Sequence, residues 1–115
     1  MNDLEVFEYE GAGYNPTKKF ESWLVAIANH CDHFDKDLYN YIERHLETDE
    51  VFVLLSGKAT MVTGMERTET PMETGKIYNV KKGSWHAMYM DKGSKVLIVE
   101  NSNTTRENSE YHYFR

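Results

Sequence analysis

Cysteine is nearly absent from this chain: Cys31 is the single one in 115 residues. That excludes an intrachain disulfide framework and fits a reducing compartment. Clustered basic residues are missing too. Lys18-Lys19 and Lys81-Lys82 are isolated pairs, and the formal net charge is -6. This balance argues against nucleic acid or an acidic membrane surface as a partner. No apolar run approaches the ~20 residues that a membrane helix needs. The first ten residues, MNDLEVFEYE, are acidic from the third onward and lack the apolar core of a signal peptide. Internal repeats, low-complexity tracts, linkers and long amphipathic helices do not occur either. The expectation is a soluble, cytoplasmic protein of one domain, residues 1–115, whose partner is a small molecule.

What is present is apolar enough to fold. Hydrophobic residues make up 40% and aromatics 13%, which suits one buried core and not a disordered chain. Strand signals dominate. Leu4–Glu8 alternates apolar and acidic residues, as a half-buried strand does. Gly11-Ala12-Gly13 and Asn15-Pro16 then read as breaks. WLVAIA from Trp23, Tyr39–His45, Val51–Leu55 and Lys58–Thr63 read as strands. So do Trp85–Met90 and Lys95–Glu100, which turn at Asp91-Lys92-Gly93. Met65–Pro71 reads as a polar connection, and Thr70–Tyr78 as two short strands about Gly75. Eight or nine short strands at this spacing predict an all-β sandwich or barrel. The tail after Asn101 is polar until Tyr111–Phe114, an aromatic end expected to dock on the barrel or on a partner.

Chemistry concentrates in two stretches. ERHLETDEVFVLLSG, from Glu43, places Glu43 and His45 two apart, hence on one face of a strand. After a short polar link, Glu50 opens an apolar run that ends at Ser56-Gly57. GKIYNVKKGSWH, from Gly75, delivers His86 just past Gly83. Imidazole nitrogens and carboxylate oxygens are donors for a divalent transition metal. Glu43, His45, Glu50 and His86 are therefore the candidate metal ligands. Glu43 is also the candidate proton-transfer group. Strand alternation puts Tyr39 and Tyr41 with His45, Phe52 with Glu50, and Met88 and Met90 with His86 as candidate pocket walls. The other histidine cluster, His30-Cys31-Asp32-His33, is too tightly spaced for all four to face one ion, and reads as a solvated loop. Trp85 alternates against His86 and is expected to pack between sheets or subunits.

These two stretches resemble the paired motifs of the cupin superfamily. The first family motif has two histidines two apart, a glutamate, and a glycine beyond it. His45, Glu50 and Gly57 match, while Glu43 stands where a histidine is usual. In the second motif Gly75, Gly83 and His86 match, whereas Lys81 replaces the usual proline and Met90 the usual asparagine. The likeness covers roughly residues 23 to 100. It implies one jelly-roll barrel of two antiparallel sheets, a divalent ion (Mn, Fe, Zn or Ni) in the barrel, and a homodimer. For function it is broad, because cupins include enzymes, sugar binders and storage proteins. The expectations are a metal-dependent enzyme on a carbohydrate or a keto or hydroxy acid, or a metal-free module that binds or senses a small ligand. KKGSWH adds a slight likeness to ureidoglycolate lyases.

Overall fold

The computed structural model describes residues 3–115. These residues form ten strands: β1 (Gly13–Phe20), β2 (Trp23–Asn29), β3 (Tyr41–His45), β4 (Glu50–Ser56) and β5 (Ala59–Thr63), then β6 (Thr68–Pro71), β7 (Ile77–Val80), β8 (His86–Met90), β9 (Lys95–Asn101) and β10 (Ser109–Tyr113). They make two five-stranded sheets, ordered β1-β2-β9-β4-β7 and β10-β3-β8-β5-β6. Every pairing is antiparallel. Among the described residues the one helical element is a single 3-10 turn, Asp32–Phe34. This is the all-β barrel that the strand spacing predicts, with the two antiparallel sheets that the resemblance implies. Among the described residues, no helix is long and apolar enough to cross a membrane.

Period-two alternation builds the interior. Leu24, Ala26, Phe52, Leu54, Val96 and Ile98 point inward from the first sheet and are at most 5% exposed. Met61, Met88 and Met90 answer them from the second. Each aliphatic side chain so buried contributes about 1.5–3 kcal/mol of transfer free energy. The β4–β5 turn needs its glycine. Gly57 has φ +85°, and a Cβ there would lie 2.7 Å from the Cα of Ser94.

The outer face of the first sheet is also apolar. Val25, Val99 and Val51 lie side by side in one row, and Ile27, Leu97, Val53 and Ile77 in the next. Ile77 is 73% exposed.

Several expectations are corrected. Leu4–Glu8 forms no strand, because its alternation finds no partner strand, and Leu4 and Val6 stay exposed. The supposed break around Asn15-Pro16 lies inside β1. An edge strand tolerates proline, and the register shifts between Asn15 and Lys18. Thr68–Pro71, read as part of a polar connection, is β6 and pairs with β5. The His30–His33 segment is not a solvated loop: it carries the 3-10 turn, and Phe34 there joins the core. The aromatic tail, by contrast, does dock on the barrel, where it forms β10 and pairs with β3. Trp85 packs under the Arg44 guanidinium, 4.7 Å from its ring centroid, and meets His112 edge-on.

Candidate metal centre

β3 presents Glu43 and His45 on its inner side, β4 begins with Glu50, and β8 begins with His86. Glu43 and His86 stand directly opposite each other across the β3–β8 pair. The turn before β8 is tied back onto β3, since the Gly83 amide donates to the His45 carbonyl at 2.8 Å. The four side chains thus meet from two sheets. His86 Nε2 is 2.8 Å and His45 Nε2 3.1 Å from Glu50 Oε1, and His45 Nε2 is 3.2 Å from Glu43 Oε1. His45, Glu50 and His86 are 7%, 5% and 3% exposed. Glu43 is half-buried at the edge of the cluster.

The outer nitrogens fix the rings. His86 Nδ1 lies 3.1 Å from the Ser84 carbonyl, which can only accept, so Nδ1 donates. A neutral His86 therefore turns its Nε2 lone pair toward Glu50. Two acceptors at 2.8 Å are stable only with a proton or a cation between them. His45 Nδ1 is held by Ser109 Oγ at 2.8 Å. Its Nε2 is buried between the Glu43 and Glu50 carboxylates and makes no hydrogen bond among the described residues. Outer-shell hydrogen bonds of this kind orient histidine ligands at metal sites. Two three-donor sets, Glu43/His45/His86 and His45/Glu50/Glu100, each lie within 4.8 Å. Residues and donor types therefore fit a divalent transition metal.

Without a cation, protons do the balancing. Burial opposes charge on His45, but the neighbouring Glu43 and Glu50 outweigh it and lift the imidazole to about 10. His86 is also raised, burial being outweighed by Glu50. Glu50 is buried, yet the two imidazoles hold it well below the usual carboxylate range. Burial and the adjacent Glu50 push Glu100 up to about 8.

These groups line a cavity of about 280 Å³, at the small end of ligand pockets. Tyr41, Phe52 and Met88 line it as expected from alternation, joined by Phe34 and Ile98. Tyr39 and Met90 do not. Tyr39 precedes β3, so strand alternation does not reach it, and it packs with Val62 and Tyr89 outside the barrel interior. Met90 does face inward with His86 but lies four residues along β8, roughly 13 Å by strand rise.

Three polar lining residues escaped the sequence reading. Glu100 shares inward parity with Val96 and Ile98, a signal that was there to use. Tyr14, whose hydroxyl donates to Glu100 Oε1 at 2.8 Å, sits on the strand mistaken for a break. His33 stacks on Tyr41 with centroids 4.8 Å apart, and burial lowers its pKa. No Lys or Arg lines the cavity among the described residues.

No family model and no curated protein match the chain. Solved structures do. A cupin-2 domain protein from Shewanella frigidimarina superposes with TM-score 0.62 at 16% identity, over 81% of this chain and 84% of its own. Streptomyces Pac13, described as a nucleoside dehydratase with a β-barrel, gives 0.66 at 8% identity over 92% and 83%. Hydroxypropylphosphonic acid epoxidase from S. wedmorenis, also solved as Fe(II)-HppE, gives 0.53 at 26% identity over 69% of this chain. That match spans 41% of the epoxidase chain. The same double-layered barrel, shared with a cupin-2 domain protein along four-fifths of each chain, shows that this chain has a cupin-like jelly-roll fold.

Proposed function

We propose that the chain is a metal-dependent cupin that acts on a small polar metabolite inside its barrel. His45, Glu50 and His86 would hold one divalent ion, with Glu43 as a fourth donor. The observation that carries this reading is His45 Nε2, an orphaned buried nitrogen aimed at the same space as Glu50 and His86. A bound ion of this class supplies Lewis acidity toward a carbonyl or enolate oxygen. One structural neighbour, HppE, is an Fe(II) protein, which supports iron among Mn, Fe, Zn and Ni.

The chain's own groups have definable tasks. Glu43 is half-buried at the cavity edge, so where it is not a ligand it can take a proton from a bound substrate. Burial and Glu43 push the Tyr41 phenol up to about 12, which keeps it a neutral hydrogen-bond donor. The apolar walls, Phe34, Phe52 and Ile98, exclude water. With three carboxylates lining the cavity and no Lys or Arg, an uncharged hydroxyl- or carbonyl-bearing ligand fits better than a phosphorylated one. Carbohydrates meet this description best, and keto or hydroxy acids only when the ion takes their carboxylate. The uridine bound by Pac13 is likewise uncharged.

A second reading is a metal-free binding module. It is favoured by one feature: Glu50 lies between two imidazoles that, once protonated, neutralise it and Glu43 without an ion. Elemental analysis of the protein purified from cells separates the two, run beside His86→Ala and Glu43→Ala. The metal reading expects stoichiometric metal that His86→Ala abolishes. Retention of metal in Glu43→Ala would make Glu43 the proton carrier, and absence of metal from every sample would leave the binding module. We further propose a cytoplasmic homodimer, supported by the apolar outer rows of the first sheet.

A further inference from the structure

We infer that Glu100 is a further ligand of the cation and that Tyr14 holds it in place. This rests on the metal reading. Glu100 follows Ile98 on β9 by two residues, so it faces the barrel interior. The β4–β9 register pairs Val51 with Val99 and Phe52 with Ile98, and its continuation sets Glu50 opposite Glu100. Two carboxylates facing across neighbouring strands repel each other, more so in a partly desolvated interior. No Lys or Arg lines the cavity to offset them. A cation between them turns this unfavourable pair into a ligand set.

Two independent features point the same way. His45 and Glu50 form one donor set with Glu100, all within 4.8 Å, and the nitrogen that His45 brings to it is the unpartnered one. Glu100 also has its own outer support. The Tyr14 hydroxyl donates to its Oε1 at 2.8 Å, much as Ser109 and the Ser84 carbonyl steady His45 and His86. Each of these three residues thus has one side-chain atom fixed from behind, and the second nitrogen of each imidazole lies within 3.1 Å of Glu50 Oε1. A residue that only bridged β1 to β9 would need no charge, and glutamine would serve. A carboxylate-rich set favours harder ions, so Glu100 biases the site toward Mn²⁺ and Fe²⁺ over soft Cu⁺.

The experiment is a Mn²⁺ titration by calorimetry on the metal-stripped full chain, with Glu100→Gln, Glu100→Asp and Tyr14→Phe beside it. Co²⁺ absorption spectra report the ligand field. A ligand role expects Glu100→Gln to weaken Mn²⁺ binding at least tenfold and alter the Co²⁺ spectrum. It expects Tyr14→Phe to weaken binding by a smaller factor, and Glu100→Asp to recover part of the Gln loss. The metal-free Glu100→Gln protein should melt no lower than wild type, since the neutral amide can still accept from Tyr14 and donate to Glu50. Equal Mn²⁺ affinity in wild type and Glu100→Gln would overturn the assignment while leaving the metal site intact. A lowered melting temperature with unchanged affinity would make Glu100 structural and overturn it too. Failure of wild type to bind Mn²⁺, Co²⁺, Zn²⁺ or Ni²⁺ would remove the metal reading itself.

Discussion

Ser109 Oγ stands 2.8 Å from His45 Nδ1, so the last strand of the fold reaches the imidazole at its centre. Because β10 pairs with β3 residue for residue, Ser109 lies directly opposite His45. This contact fixes the ring that carries the orphaned nitrogen. Ser109→Ala should therefore lower metal affinity by about 10-fold, the lower end for loss of an outer-shell partner. The fold should survive, since one hydrogen bond contributes about 1 kcal/mol. Competition with a chromophoric chelator measures the affinity, and an unchanged value would detach β10 from the site.

Much of this centre was legible in the sequence because its spacings are local. Glu43 and His45 are two apart on one strand, and any strand puts them on one side. Glu50 and Gly57 bracket an apolar run, and Gly83 announces the turn before His86. What local spacing cannot carry is pairing. Leu4–Glu8 alternates well enough, yet it has no neighbouring strand to satisfy it. Tyr14 was hidden because glycines and Pro16 look like a break until β1 is seen to be an edge strand with a register shift. Glu100 needed only its parity with Ile98, but its meaning depends on Glu50 lying opposite, a contact 50 residues away in the chain.

Metal binding should release protons. In the metal-free protein His45 is raised to about 10, so at pH 7 its ligating nitrogen carries a proton that an ion must displace, and His86 is raised in the same direction. Apparent affinity should rise with pH between 6 and 9. Calorimetry in two buffers of different ionisation enthalpy should give different heats at pH 7. Identical heats would mean that the imidazoles are not the ligands.

Metal-free stability should have an unusual alkaline slope. Glu100 is raised from 4.5 to about 8, so its contribution is complete below pH 4.5 and is lost as pH rises through 8. His45 is raised from 6.5 to about 10, so its contribution is complete below pH 6.5 and is lost as pH climbs through 10. Glu50 is depressed, and its contribution, complete above 4.5, disappears as pH falls below that value. The melting temperature in chelator should thus peak between about pH 5 and 6.5 and fall by pH 9. Added metal should flatten the alkaline side. A melting temperature constant from pH 6 to 9 in chelator would contradict this ion-pair arrangement.

The apolar rows on the outer face of the first sheet carry the last prediction. Val53 sits between Leu97 and Ile77 in one row, half-buried by its neighbours but facing away from the barrel interior. Antiparallel sheets that face water normally alternate polar residues outward, and seven aliphatic side chains in register do not meet that rule. A second copy laid on this face would bury them. Each chain carries net charge -6, so association must rest on apolar area and not on charge. Val53→Lys and Leu97→Lys should each convert a dimer to a monomer at micromolar concentration while keeping the candidate metal centre, which lies on the opposite side of the same sheet. Multi-angle light scattering reads the mass. A wild-type chain of 13.5 kDa in solution would leave these rows without a partner copy.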